Sequence, residues 1–188
     1  MAQIDRFLAE LRKWNQRINL TAAETINDLV TRHVLDSLAG MLVLNELPAG
    51  AQIADLGSGA GFPGLPIKIA RPDLHMTLIE PRQKRAAFLT TVCALLKLQD
   101  IAIVEETMDL RRQVPDLVGR FDAVLMRAVA EPRSAKDLAL PLVKPGGMVV
   151  IWVSTQQAGH ADTGFLVHTY RIPETDLTHA LLIWRVPT

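Results

Sequence analysis

Apolar side chains at the start of the chain recur with the period of an α-helix. Over residues 3–19 they lie three or four positions apart, with charged residues between them. The same spacing returns over residues 25–46, before Pro48 and Gly50 interrupt it. The pattern predicts two amphipathic helices, which form an N-terminal helical cap over residues 1–48.

After Gly50 the pattern changes to short apolar runs that alternate with helical spacing. This alternation is typical of parallel strands joined by crossover helices. The predicted strands are 51–56, 75–80, 101–106, 121–127 and 147–153. The predicted helices between them are 64–72, 82–98 and 132–143.

The last part of the chain follows a different pattern. Residues 165–173 and 179–187 are rich in β-forming residues and only five residues separate them, so we expect an antiparallel pair at the far edge of the sheet. Residues 154–164 are too short and too rich in Gly and Ala to predict a crossover helix. The chain is therefore expected to be a single α/β domain, with a core over residues 49–188.

Composition narrows the class of protein. The chain has 188 residues, of which 49% are hydrophobic and 21% are charged, which is enough for one domain with a sizeable core. No leader pattern and no apolar run near the ~20 residues of a membrane span is present, so we expect a cytoplasmic protein without a membrane partner. The lone Cys93 provides neither a disulfide nor a metal knuckle, and no metal is expected.

The charges of the chain cancel, since 20 Lys and Arg residues balance 20 Asp and Glu residues. A protein that held nucleic acid mainly by neutralising phosphates would usually show a basic excess. The balance argues against such a partner but leaves room for a local basic patch, because recognition depends on where charges lie.

The stretch IADLGSGAGFPG follows the first predicted strand and contains the strongest candidate site. Asp55 ends the strand, and Gly57, Gly59 and Gly61 form the turn into the next helix. Ligands of open α/β sheets bind at this edge. Glycines adopt positive φ and carry no Cβ, so the backbone and its N–H groups can approach a ligand closely.

The spacing of the glycines argues against a dinucleotide. The dinucleotide pattern is GxGxxG, whereas this chain has GxGxG followed by Phe62, and it has no Walker lysine. Glu80 ends the second strand, about 20 residues beyond the turn, where an acid accepts hydrogen bonds from ribose hydroxyls. A ligand with a ribose and no pyrophosphate fits best, and we expect S-adenosylmethionine.

Two further strand ends add candidates for cofactor binding. Met108 and Asp109 follow the third strand, where a backbone N–H and a carboxylate could meet the edge of an adenine. Arg127 ends the fourth strand and could hold a phosphate, a base edge or the carboxylate of the cofactor.

The sequence shows no protein nucleophile that could assist methyl transfer by attacking the acceptor. The [DNS]PP[YF] loop of amine methyltransferases is absent, and Cys93 lies on a helix away from the strand ends. A ring nitrogen with a free lone pair, such as guanine N7, needs only in-line placement. No catalytic residue is therefore assigned. An NAD-dependent oxidoreductase is disfavoured by the glycine spacing and because Tyr170 has Glu174, not lysine, four residues on.

Five motifs together resemble the RsmG (GidB) family, whose members methylate N7 of a guanine in bacterial 16S ribosomal RNA. The motifs, in chain order, are WNQRINLT (14–21), RHVLDSL (32–38), DLGSGAGFPGLPIKI (55–69), KRAAFL (84–89) and FDAVLMRAVA (121–130). The resemblance implies a Rossmann-like class I methyltransferase sheet of about seven strands, mostly parallel, with an antiparallel strand near one edge. It also implies cofactor contacts at Gly57, Phe62, Met108, Asp109 and Arg127, with 16S ribosomal RNA or the small ribosomal subunit as partner.

The chain departs from the family pattern where basic residues are usual. Thr107 stands in place of an arginine, Trp152 and Val153 in place of a Lys-Gly pair, and Thr178 in place of another arginine. These departures remove positive charge from one side of the expected RNA site. They leave an alternative open, in which the chain is a divergent relative that binds the cofactor and does not methylate ribosomal RNA.

Overall fold

The computed structural model describes residues 2–105, 115–127, 131–160 and 164–188. Within them a sheet of seven strands runs in the order β3-β2-β1-β4-β5-β7-β6. The strands are β1 (Gln52–Leu56), β2 (His75–Ile79), β3 (Ile101–Val104), β4 (Phe121–Arg127), β5 (Val143–Ser154), β6 (Leu166–Arg171) and β7 (Thr178–Arg185). Strands β1 to β5 pair in parallel, and β7 runs antiparallel to both β5 and β6. This architecture confirms the predicted sheet and its antiparallel strand near one edge.

Helices cover both faces of the sheet and precede it. They are α1 (Ala2–Ile18), α2 (Ile26–Leu29), α3 (Asp36–Leu38), α4 (Met41–Leu44), α5 (Gly64–Ala70), α6 (Gln83–Leu96), α7 (Pro132–Ala139) and α8 (Thr155–Gly159). A π-helical segment, Val30–Leu35, joins α2 to α3. Short 3₁₀ turns occupy Pro115–Leu117 and Leu140–Leu142.

Alternation along the central strands divides the core into two clusters, because successive side chains of a strand point to opposite faces. On β1, Ile53 packs with Phe7, Leu11 and Leu78 in the cluster that includes α1 and α6. Ala54 lies in the other cluster, against α7. The central strands are apolar on both faces because both faces are covered.

The cap differs from the continuous second helix predicted over residues 25–46. Thr25 caps α2 by accepting from the N–H of Asp28, and the π-helical segment then interrupts the α-helical pattern. A further break follows α3 at Gly40. A Cβ at Gly40 would lie 2.7 Å from the indole ring of Trp152, so glycine at this position lets the indole pack closely against the backbone.

Two other elements differ from the predictions. The segment after β5 forms the short helix α8, because Ser154 and Gln157 form a reciprocal capping box that composition alone had not suggested. Strand β5 begins at Val143, four residues earlier than predicted, and the preceding α-helix ends at Ala139. In the described part of the chain, no helix has the length and apolar character needed to cross a bilayer.

Candidate functional site

The glycine turn after β1 adopts the backbone conformation that the sequence predicts. Gly57, Gly59 and Gly61 have φ angles of 80°, 55° and 89°. Residues with side chains rarely adopt this region. The turn therefore needs glycine at these positions for conformational reasons, before any ligand is considered.

Two of these glycines face different surroundings. A Cβ at Gly61 would collide with the side chain of Leu65, so this glycine allows helix α5 to pack closely on the turn. A Cβ at Gly59 would meet nothing closer than Nη1 of Arg85, at 3.6 Å. Gly59 is on the open side of the turn, where a ligand can reach the backbone.

Asp55 lies beneath the turn and holds it in place. Its side chain is fully buried, and Oδ2 accepts the N–H of Gly64 at 2.9 Å. Burial raises the pKa of this carboxyl to about 7, and the hydrogen bond from Gly64 opposes that rise. Oδ1 is buried without a hydrogen-bond partner among the described residues.

Glu80 joins the end of β2 to the same turn. Its Oε2 accepts the N–H of Gly59 at 2.8 Å, and its Oε1 accepts the N–H of Arg82 at 2.9 Å. The residue is 3% exposed. Each carboxylate oxygen keeps a second lone pair, so both can accept a further hydrogen bond from a ligand.

A cavity of about 460 Å³ opens above the turn. Its lining residues are Leu20, Thr21, His33, Gly57, Ser58, Gly59, Ala60, Phe62, Glu80, Pro81, Arg82, Arg85 and Arg127.

Five of the predicted site residues thus share one cavity: Gly57, Gly59, Phe62, Glu80 and Arg127.

Asp55 and Gly61 do not line this cavity and instead support the turn from below. Met108 and Asp109, like Thr107, lie outside the described residues.

One wall of the cavity is aromatic. The ring of His33, in the π-helical segment, stacks on Phe62 with centroids 4.9 Å apart. Its Nε2 lies 3.1 Å from Oγ1 of Thr21. Burial, and after it the charge of Arg127, lower the pKa of His33 to about 4. The imidazole is therefore neutral at physiological pH.

One terminal nitrogen of the Arg127 guanidinium, Nη2, is held by the protein, whereas the other, Nη1, has no hydrogen-bond partner among the described residues. Its Nη2 donates to the backbone oxygen of Arg32 at 2.6 Å and pairs with Oδ2 of Asp36 at 3.0 Å. Its Nη1 is buried and has no hydrogen-bond partner among the described residues. A guanidinium that lines a cavity with one unpaired nitrogen can donate to a ligand there.

Asp36, which is 1% exposed, links the cap to the C-terminal strands. Its Oδ1 accepts from the hydroxyl of Tyr170 at 2.6 Å and lies 2.8 Å from Nδ1 of His179. Burial and the neighbouring carboxylate raise the pKa of Tyr170, so its hydroxyl remains protonated. Trp152 donates from its indole N–H to the backbone oxygen of Asp36 at 2.8 Å.

The structure explains part of the departures from the family pattern. Trp152 and the adjacent Val153 are both buried in β5, so the apolar residues at these positions contribute to the core. Thr178 begins β7 and is exposed.

Sequence reasoning missed several residues that line the cavity. Leu20 and Thr21 come from the connection after α1, which is far from the glycine turn in the sequence. Arg82 and Arg85 fall within the helix predicted over residues 82–98, and Arg85 also belongs to the motif KRAAFL, but neither is predicted to line a site. The usable signal was their position directly after the second strand, at the same sheet edge as the glycines. Asp36 was noted within a motif, but its partners, Tyr170 and His179, are more than 130 residues away.

No activated nucleophile is apparent among the described residues. Cys93 is buried, and burial raises the pKa of its thiol to about 11, so the thiolate is scarcely populated at neutral pH. The described part of the chain contains no group of three His, Cys, Asp or Glu side chains arranged to hold a metal ion.

Comparison with known sequences identifies relatives. The profile of the family described as rRNA small subunit methyltransferase G (GidB) matches residues 1–163. The ribosomal RNA small subunit methyltransferase G of Roseiflexus castenholzii is 44% identical over 145 residues, which cover 77% of this chain and 61% of the relative. That of Sorangium cellulosum is 43% identical over 151 residues, covering 80% of this chain and 63% of the relative. The matches thus span about three fifths of these curated relatives.

Solved structures share the fold at low sequence identity. A precorrin-6y C5,15-methyltransferase from Geobacter metallireducens is 16% identical, with a TM-score of 0.58 over 78% of this chain and 86% of that one. TYW2 of P. horikoshii, solved in complex with MeSAdo, is 18% identical, with a TM-score of 0.59 over 81% of this chain and 62% of that one. At such identity the likeness concerns the fold alone.

Proposed function

This chain belongs to the rRNA small subunit methyltransferase G family, and from that membership we propose that it transfers a methyl group from S-adenosylmethionine to N7 of a guanine in 16S ribosomal RNA. The observation that carries the proposal is the hydrogen bond from the N–H of Gly59 to Glu80. It places a side-chain-free backbone and a carboxylate with spare lone pairs on the same cavity.

The residues present fit S-adenosylmethionine. The backbone at Gly59 is open toward the cavity, and Glu80 can accept from the two hydroxyls of a ribose. Nη1 of Arg127 is a buried donor without a hydrogen-bond partner among the described residues. The carboxylate of the methionine moiety can accept a hydrogen bond from it. When bound, the cofactor supplies an electrophilic methyl group on a sulfonium centre.

The aromatic wall suits a positively charged ligand. Because the pKa of His33 is about 4, its ring carries no charge that would repel a sulfonium. Phe62 stacks on that ring and adds an apolar surface to the cavity. Asp36 holds Arg127 through Nη2, whereas Nη1 has no hydrogen-bond partner among the described residues.

The protein's main role toward the methyl acceptor is to position it, and no general base is required. Guanine N7 has a free lone pair and needs no general base, which agrees with the inert thiol of Cys93. Holding such a nucleophile in line with the methyl group supplies a large part of the rate enhancement. Because small-subunit RNA is the proposed substrate, we expect the protein to act in the cytoplasm.

The test is direct detection of the product. The purified chain is incubated with S-adenosylmethionine and either 16S RNA transcribed in vitro or small subunits from a strain without the modification. We expect one N7-methylguanosine per RNA, located by nuclease mapping and mass spectrometry. The matched control is Gly59→Val, in which a branched side chain at φ +55° strains the turn without meeting the core. This variant should fold and lose cofactor binding in calorimetry.

The outcomes separate the two functions considered. Cofactor binding without methylation of either substrate would identify a binding protein, the divergent relative, and end the enzyme proposal. Absence of S-adenosylmethionine binding by the folded wild-type chain would overturn the assignment of the cavity as well.

A further inference from the structure

A second cavity, of about 650 Å³, lies between the end of α1 and the start of α6. Its lining residues are Arg17, Ile18, Asn19, Arg82, Gln83, Lys84 and Arg85. We call this surface the basic groove, since four of the seven residues are cationic and none is acidic.

The concentration of charge in the groove contrasts with the chain as a whole, which has a formal net charge of zero. Arg17, Arg82 and Lys84 are exposed, and Arg85 is half-buried. Among the described residues, none of these four side chains forms an ion pair. Unpaired cations on one face create a local positive potential that attracts a polyanion even when the net charge is zero.

The groove is continuous with the cavity above the glycine turn. Arg82 and Arg85 line both. Glu80, the acid between them and the turn, already accepts hydrogen bonds from two backbone N–H groups and does not line the groove. An RNA strand with one base in the cavity could therefore place its neighbouring phosphates along these cations.

On the other side of the cavity, the described positions at which the family usually carries basic residues are uncharged. Beyond β4 in the sheet, the positions of Trp152, Val153 and Thr178 hold no cation, and the guanidinium of Arg127 is paired with Asp36. Phosphates near the cavity thus meet unpaired cations on the α1–α6 side.

We propose that the basic groove binds the sugar-phosphate backbone of the RNA whose target guanine enters the cavity. The inference rests on the proposed function and adds to it the path of the substrate. Arg17 and Lys84 contact RNA only, whereas Arg82 and Arg85 lie close enough to the cavity to affect the cofactor as well.

The experiment compares two double variants. One removes two positive charges from the groove, and the other removes two positive charges from α1 and the end of α6, outside the groove. The test variant is Arg17→Gln with Lys84→Gln. The control variant is Arg6→Gln with Lys97→Gln, since Arg6 is exposed on α1 and Lys97 is the exposed C-cap residue directly after α6. Glutamine keeps the helix propensity and much of the side-chain length.

Binding of unmodified 16S RNA, transcribed in vitro, is measured by filter retention over a range of salt concentrations. For the test variant we expect a dissociation constant raised about tenfold near 0.1 M salt, and a salt slope smaller by about 1.4, which corresponds to two lost phosphate contacts on single-stranded RNA. The KM for RNA should rise in parallel. The affinity for S-adenosylmethionine and the kcat should remain at wild-type values, and the control variant should match the wild type throughout.

Equal RNA affinity and salt slope in the test and control variants would overturn the inference, even if the wild type methylates RNA. A loss confined to S-adenosylmethionine affinity would assign the cations to the cofactor and overturn it too. If the wild type binds RNA through the groove but transfers no methyl group, the groove stands and the proposed function fails.

Discussion

Asp55 and Glu80 are both buried carboxylates at the ends of neighbouring strands, yet their surroundings give them different tasks. Asp55 accepts one hydrogen bond, from Gly64, and burial raises its pKa to about 7. Glu80 accepts two backbone N–H groups and lines the cavity. The sequence places both as candidates for ligand binding, whereas the structure directs only Glu80 toward the cavity.

The raised pKa of Asp55 predicts a pH dependence of stability. Its folded-state pKa, about 7, is above the ordinary value of 3.8, so the stabilisation from this group is full below about pH 4 and is lost as the pH rises toward 7. Asp55→Asn cannot ionise, and its amide oxygen can still accept the N–H of Gly64. Urea unfolding between pH 4 and 8 should therefore show that the free energy difference between variant and wild type shifts in favour of the variant as the pH rises.

His33 changes stability in the opposite direction, because its pKa is lowered, but it is present in both proteins and cancels in the difference. A pH-independent difference between Asp55→Asn and the wild type would contradict the prediction.

At the level of elements, one buried carboxylate of the cap contacts side chains from several strands of the sheet. Asp36 begins α3 and reaches Arg127 on β4, Tyr170 on β6 and His179 on β7. Its backbone oxygen also accepts from Trp152 on β5. The C-terminal strands thereby contribute to the orientation of an arginine that lines the cavity, although none of them follows the glycine turn directly.

This network predicts that Asp36 positions Arg127. Asp36→Asn leaves a largely buried guanidinium without its counter-charge, and we expect a loss of about 3 kcal/mol in the free energy of unfolding. Binding of S-adenosylmethionine should weaken by a factor of ten or more, because Nη1 of Arg127 is no longer held in place. Tyr170→Phe keeps the ion pair and removes one hydrogen bond, so it should cost only about 1 kcal/mol.

Chemical denaturation and calorimetry measure the two effects. The matched control is Asp176→Asn, which breaks an exposed pair with Arg171 and should leave both quantities unchanged. Wild-type cofactor affinity in a folded Asp36→Asn protein would exclude a positioning role.

At the scale of the whole molecule, the cap and the sheet share a core. Phe7 and Leu11 of α1 are fully buried in the same cluster as Ile53 of β1. Trp14 packs edge-on against Phe88 of α6, with centroids 5.7 Å apart. These contacts bury side chains of the cap together with those of the sheet, and the single domain over residues 1–188 stays a prediction.

A shared core predicts that cap and sheet unfold together. Tryptophan fluorescence, which includes Trp14 in the cap and Trp152 in the sheet, should give the same urea midpoint as far-ultraviolet circular dichroism. Phe7→Ala should shift both midpoints equally, with a loss of roughly 3–5 kcal/mol. Separate midpoints for the two signals, or a shift in only one of them, would show that the cap is an independent unit.

Local pattern was enough to predict most of the strands and the glycine turn. Burial of both sheet faces produces continuous apolar runs, and positive φ in a tight turn requires glycine. Both features can therefore be recognised from short stretches of sequence. The same local information predicts a continuous second helix, because it reveals neither the π-helical segment nor the close packing of Gly40 on Trp152, 112 positions later in the chain. Local pattern also fails to predict α8, because the Gly and Ala content of residues 154–164 argues against a helix despite the capping signal of Ser154 and Gln157.

The sequence by itself determined the alternation of strands and helices, the turn at Gly57 to Gly61 and the family to which the chain belongs. Only the tertiary structure decided that Asp55 supports the turn while Glu80 faces the cavity, that Asp36 holds Arg127, and that the unpaired cations gather between α1 and α6. The physical reason is that conformational preferences depend on neighbouring residues, whereas burial, charge pairing and hydrogen bonding depend on residues that folding brings together from distant parts of the chain.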